Sequence, residues 1–368
     1  MMVVSKQQKI FFDFLRFCIG SAKEVPVSLK EADWKELYRI AQKQCLVGVL
    51  FDGIRKLPAE HVGMKKELLL QWMAESQMLE KANIRLNDAA IQVSEWFRKK
   101  DFRTCILKGQ GNALVYPNPY SRTPGDIDIW VEGGDKRVIS FVRSISPLEK
   151  ACYHHIEFPS YKGVEVEVHY RPSFLLCLWH NRKLQNYYER VKEKQFSHRV
   201  KLGEQGEVAI PTAELNLIFQ LTHIYAHLMN EGIGLRQLLD YYFVLLHADI
   251  KDLAELQRNL KRFGLWKFAG AIMYIMQEVF DLPVSRLIVP SNEKYGIFVL
   301  NEVLEAGNFG KYDERNRFGK SQLGHNLQRV YRDIRLVRYF PVEALSEPLF
   351  RTWHFFWRLS NKTSLDCR

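Results

Sequence analysis

Gly125-Asp126-Ile127-Asp128-Ile129-Trp130-Val131 sets two acids into a run that otherwise alternates toward a core. Alternate side chains of a β-strand leave the same face. The spacing therefore predicts that Asp126 and Asp128 point together, with Ile127, Ile129 and Val131 on the opposite, buried face. Two carboxylates held close repel unless a cation lies between them. Mg²⁺ is the usual cation where phosphates are also bound. On residues alone, the pair also fits an edge strand or a local ion pair with Arg122. Upstream, the small-residue turn Gly109-Gln110-Gly111 has the look of a phosphate cradle.

Downstream, Gly163-Val164-Glu165-Val166-Glu167-Val168-His169-Tyr170 alternates cleanly and reads as a second strand. Glu165, Glu167 and His169 share one face, and Val164, Val166 and Val168 the other. Laid beside the first strand, this one would bring a third carboxylate to the pair. Such a set can hold two metals across the attacking and leaving oxygens of a phosphoryl displacement. His169 could reach a phosphate or simply hydrogen-bond within the sheet. Lys108 and Arg122 could neutralise phosphate oxygens through charge-assisted contacts.

Leu107-Lys108-Gly109, then Arg122 with the Gly125 to Val131 stretch, then Val166-Glu167-Val168-His169-Tyr170, resemble the DNA polymerase β-type nucleotidyltransferase superfamily. The likeness is to its bacterial "nucleotidyltransferase family protein" branch. It covers roughly residues 100–245, including the later run from Ile210-Pro211 to His223 with Arg236 and Asp240. The resemblance implies transfer of a nucleoside monophosphate from an NTP to a hydroxyl acceptor, with release of pyrophosphate and dependence on Mg²⁺ or Mn²⁺. It implies Asp126 and Asp128 as paired metal ligands and Glu167 as the third acid, near the acceptor hydroxyl. It also implies that Gly109 opens a helix facing the triphosphate, with Lys108, Gly109, Gln110, Arg122 and His169 around the phosphates. Three features depart from the superfamily pattern, one being the gap of 17 positions from Gly109 to Asp126, longer than the superfamily norm. The turn is Gly-Gln rather than Gly-Ser or Gly-Gly, and the third acid is Glu rather than Asp.

The 368 residues are 47% hydrophobic and 13% aromatic, which fits a well-packed globular chain. No apolar run approaches the ~20 residues needed to span a bilayer, and no export signal is visible, so a cytoplasmic location is expected. The six cysteines show no paired C-x-x-C spacing, which predicts reduced thiols and no cysteine-only zinc site. Of the net charge of +11, residues 311–368 contribute +6. Arg329, Arg332, Arg335 and Arg338 recur there every third residue and fan around a helix. This basic C-terminal region is either a solvated helix or a contact for an anionic partner.

The pattern predicts an α+β fold: a small mixed-sheet core at 101–175, an N-terminal helical region at 1–100, and a mostly helical region at 176–368 with a hairpin near 196–211. Ser28 and Glu31 have capping-box spacing ahead of an apolar stripe at Trp34, Leu37, Tyr38, Ala41 and Cys45. A second helix spans 66–99 after a break at Leu57-Pro58. His223 and His227 are one turn apart but lack the glutamate of a zinc-binding H-E-x-x-H, so a structural or substrate-lining role is expected. Arg236 and Asp240 have the spacing to pair. His154 and His155 have no evident partner and read as a strand edge. Two other classes of function stay open: a non-catalytic nucleotide-binding or regulatory protein on the same fold, favoured by Gln110, and a basic nucleic-acid-binding protein.

Overall fold

In the computed structural model, residues 4–204, 206–315 and 322–360 are described. The elements run α1 (Lys6–Ile19), α2 (Trp34–Lys43), α3 (Val47–Ile54), α4 (Lys66–Arg98), β1 (Thr104–Ile106), α5 (Gln110–Ala113), β2 (Ile127–Val131), α6 (Gly134–Ile145), β3 (His155–Tyr161), β4 (Val164–His169) and α7 (Leu178–Ser197). They continue with β5 (Arg199–Leu202), β6 (Gly206–Ala209), α8 (Ala213–Asn230), α9 (Leu235–His247), α10 (Leu253–Arg262), α11 (Trp266–Phe280), α12 (Glu293–Ala306), α13 (Gln322–Val337) and α14 (Pro341–Ser360). This is the α+β class read from the sequence: a small mixed sheet flanked by helices.

The sheet order is β1-β2-β4-β3. β2 and β4 are parallel neighbours, while β1 on β2 and β3 on β4 are antiparallel. The period-2 pattern sorts the two faces. Ile127, Ile129, Val131, Val166, Val168 and Ile156 form one core with Leu86, Ala90, Val93 and Phe97 of α4 and Val138 and Val142 of α6. A sheet residue shifted by one position would exchange these faces, so burial on the aliphatic side fixes which side carries the acids. On that opposite side, Trp130 packs against Tyr188 and Phe196 of α7.

The helices before and after the sheet share a second core. Phe11, Phe14 and Leu50 belong to the same buried cluster as Leu221, Tyr241, Ile272 and Phe280. α1 contacts both α3 and α11. The β5–β6 hairpin forms where the sequence predicts it and lies against β1 and α4.

The first helical stripe begins differently from expectation. The cap of α2 is Asp33, whose carboxylate accepts from the backbone N–H groups of Lys35 and Glu36. Ser28 sits in a short 3₁₀ turn and its hydroxyl donates to Asp13 instead. Asp33 wins because it directly precedes the first helical residue, where its oxygen reaches the orphan donors.

No disulfide joins the described cysteines, and Cys367 lies outside the described residues. No described helix is long and apolar enough to cross a membrane. Two of the four C-terminal arginines turn inward: Arg332 donates to the Glu231 carbonyl and Arg335 pairs with Glu302.

Candidate functional site

The parallel pairing of β2 with β4 places Asp128 directly beside Glu167, and Trp130 beside His169. β3 then sets His155 opposite His169. The result is one row of charged and imidazole groups across three strands. Asp128 is 2% exposed. Its Oδ1 lies 3.0 Å from Lys108 Nζ and 3.0 Å from His169 Nε2. The same imidazole nitrogen is 3.4 Å from Glu167 Oε2, and His155 Nδ1 is 3.6 Å from that oxygen. Asp128 Oδ2 is buried with no hydrogen-bond partner.

Burial opposes ionisation at each member of this cluster, and the neighbours overrule it. Desolvation would raise the Asp128 carboxyl, but Lys108 and His169 hold it below its usual range. Burial likewise works against the Glu167 carboxylate, which His169 and His155 bring down to about 2. His169, disfavoured as a cation by burial, is pushed up to about 9 by Asp128 and Glu167. Lys108 loses by desolvation and gains more from Asp128, Asp126 and Glu167, so it stays charged. His154 and His155, lowered chiefly by burial, are neutral at physiological pH.

On the other side of Asp128 a cleft of about 500 Å³, counting its open mouth, is lined by Lys108, Asp126, Asn112, His223, Arg236 and Phe309 among others. Asp126 precedes β2 by one residue and stands in this cleft wall. Lys108 Nζ bridges the two regions, reaching His223 Nε2 at 3.2 Å as well as Asp128. Gly109 has φ +61, a left-handed turn that favours glycine, and it caps α5 as the sequence predicts. Arg236 donates to the carbonyls of Thr123 and Pro124, and its guanidinium lies 5.5 Å from the Phe309 ring centre.

Three residues expected at the phosphates have other partners. The Arg122 guanidinium makes a two-pronged pair with Asp240, through Nε and one terminal nitrogen at 2.8 Å each. Both side chains are nearly sealed from solvent. Asp240 thus pairs with Arg122, not with Arg236 as its helical spacing suggested, and it also accepts from Tyr116. The Gln110 side chain turns away from the cleft to Asn87 and Asn83 of α4, because α5 is buried on that side. His169 is drawn onto the two carboxylates, whose charge is a stronger attraction for a buried imidazole than an open cleft.

The expected acid trio is also redistributed. The donor atoms that lie within 4.8 Å of one another come from Asp128, Glu167 and His169, with Asp126 further out at the cleft. Glu165 is exposed at the edge of β4. His155, read from the sequence as a strand-edge residue without an evident partner, faces Glu167 and His169. Its only signal was its place in an alternating run, and its relevance depends on β3 folding back onto β4.

A family model described as an uncharacterised nucleotidyltransferase matches residues 30–281. The chain belongs to this nucleotidyltransferase family. The matched span contains the whole β1-β2-β4-β3 sheet, Lys108, His223 and the Arg122–Asp240 pair, and ends before Phe309. No curated protein matches the chain. Among solved structures, an antigenic nucleotidyltransferase-like protein from Paracoccidioides brasiliensis is similar at 15% identity. That likeness covers 60% of this chain and 97% of the other, with a TM-score of 0.33. For this nucleotidyltransferase, the Asp128 row and its adjoining cleft are the candidate active site.

Proposed function

We propose that the protein is a polymerase β-type nucleotidyltransferase that moves a nucleoside monophosphate from an NTP to the hydroxyl of a small molecule or protein. The observation that carries this reading is the register of Asp128 beside Glu167, next to a cleft whose wall holds Asp126 and Lys108. Asp126, Asp128 and Glu167 would hold Mg²⁺ or Mn²⁺. The residues fit a cation: Asp128 Oδ2 is a buried carboxylate oxygen without a partner, an arrangement that costs stability unless something positive meets it. When bound, the ion would supply electrostatic stabilisation of the oxygens that gain charge in the transfer.

The protein's own groups divide the remaining work. Lys108, kept charged by its acidic neighbours, would meet triphosphate oxygens at the cleft. Arg236 and Phe309, in mutual contact at the same wall, offer a cation and a flat apolar ring to the rest of the nucleotide. Glu167 retains partial solvent access. It is ionised at neutral pH and would accept the proton of the acceptor O–H as that oxygen bonds to the α-phosphorus and pyrophosphate departs. His169, charged at that pH, would keep Glu167 in that state, and His155 would help to position it.

The test uses each NTP labelled at the α-phosphate, with Mg²⁺ or Mn²⁺ and an extract containing small molecules and proteins. Label should pass to an extract component with wild type and not with the Asp126→Asn, Asp128→Asn double variant. Transfer that survives both substitutions would remove this mechanism. A second reading rests on Gln110, whose side chain faces α4 so that the turn offers no side-chain hydroxyl to phosphate. A non-catalytic nucleotide-binding protein would bind NTP in the same cleft and release no pyrophosphate.

A further inference from the structure

Away from the sheet, the beginnings of α7 and α14 bring together three side chains that ligate metals. Cys177 is the N-cap residue of α7 and His180 lies three positions on, so thiol and imidazole share a face of the first turn. Glu343, in the first turn of α14, is 4% exposed. One donor atom from each, a sulfur, a ring nitrogen and a carboxylate oxygen, lie within 4.8 Å of one another.

The carboxylate is fixed in place. Glu343 Oε2 accepts from the backbone N–H groups of Leu176 at 2.7 Å and Cys177 at 3.2 Å. Its other oxygen is 3.9 Å from His180 Nδ1. That nitrogen is buried and has no hydrogen-bond partner. A separation of 3.9 Å is too long for a hydrogen bond, so a neutral ring gains nothing from the acid it faces. The ring is also wedged in position. Gly264 has φ +72, and a Cβ there would overlap the imidazole, so the turn between α10 and α11 closes against it.

We propose that Cys177, His180 and Glu343 form a second divalent-metal site, with zinc the fitting ion, which clasps α14 to α7. The donor set mixes soft sulfur, imidazole and carboxylate, a combination that suits zinc and not Mg²⁺. Zinc holds such atoms at about 2.0–2.3 Å, which sets them roughly 3.3–3.6 Å apart in a tetrahedron, so side-chain rotation would have to close the present spacing by up to about 1 Å. Binding forms the zinc–sulfur bond and releases the thiol proton to solvent. The two backbone amides on Glu343 Oε2 act as the outer partners that orient a metal-binding carboxylate. Cys177 and His180 are half-buried, which leaves access for a water as fourth ligand.

This site is separable from the candidate active site by chemistry, because no cysteine belongs to the Asp128–Glu167–His169 cluster. The full chain, stripped with a chelator, would be titrated with Co²⁺ and read by absorbance. A sulfur-to-cobalt charge-transfer band is expected in the near ultraviolet, saturating at about one ion per chain and bleached by added Zn²⁺. The band should vanish in Cys177→Ser and persist in Cys45→Ser and Asp128→Asn. Glu343→Gln should weaken Co²⁺ affinity by about 10-fold or more. A wild-type protein with no thiolate band, or a band that survives Cys177→Ser, would overturn the proposal. His180 and Glu343 would then be packing neighbours alone. Because the wild-type spectrum is itself decisive, the result holds even where a variant folds poorly.

Discussion

Two buried charge networks stand beside the same cleft and are built to opposite plans. In the first, Arg122, Asp240 and Tyr116 satisfy one another. Arg122 uses its guanidinium on Asp240 and on the Thr123 carbonyl, and its own backbone carbonyl accepts from Asn83. In the second, Lys108, Asp128, His169 and Glu167 crowd four charges together and leave Asp128 Oδ2 without a partner. A closed network holds a frame, since a buried pair is worth keeping only when every polar atom is met. An open one has capacity left for something the protein binds. Arg122 lines the cleft, and its pair with Asp240 also ties residues 117–124 to α9.

The contrast can be broken at several points. Arg122→Ala leaves Asp240 charged and unpaired in the interior, and should cost about 3–5 kcal/mol of stability. Chemical denaturation would show it, and a loss under ~1 kcal/mol would mean that the pair is not the frame. Asp128→Asn should lower nucleotidyl transfer by about 10²–10³-fold or more while circular dichroism shows a folded protein. The same loss of activity with a collapsed spectrum would place Asp128 in the frame as well.

A pH experiment sharpens the comparison without mutating the acids. In chelator-treated protein the folded His169 is raised to about 9 from an ordinary 6.5. Its contribution to stability is therefore complete below about 6.5 and is lost as pH rises through about 9. The size is up to ~3 kcal/mol, visible as a falling unfolding midpoint across that window. His169→Gln should flatten the slope, whereas a slope unchanged by the substitution would assign it elsewhere. The smallest effect is expected at the edge of the closed network. Tyr116→Phe removes one hydrogen bond while Arg122 still holds the acid, so a loss of about 1 kcal/mol is expected. A cost several times larger would show that the tyrosine, not the arginine, secures Asp240.

Legibility in the sequence followed the range of the interactions involved. The strands at 127–131 and 164–169 were readable because alternation is local and one face must be buried. The Asp33 cap was missed in favour of Ser28 because both have capping chemistry and only the helix start distinguishes them. The partner of Arg122 is not legible in the sequence because Asp240 is 118 residues away. The partner of Gln110 is not legible either, because Asn87 lies on α4, 23 residues earlier. His155 has no evident partner in the sequence because an imidazole at a strand edge gains one only once the neighbouring strand is known.

The amino-acid order by itself determined the acidic pair, the alternating strands, the glycine at the Gly109 turn and the α+β class, since each follows from spacing along one segment and from which side chains can be buried. Tertiary structure alone decided that β2 and β4 run parallel in the register that joins Asp128 to Glu167, that Lys108 and His169 meet those acids, and that the helices before and after the sheet share one core. Pairing between distant segments depends on shape and burial summed over the whole chain, and no local pattern encodes that sum.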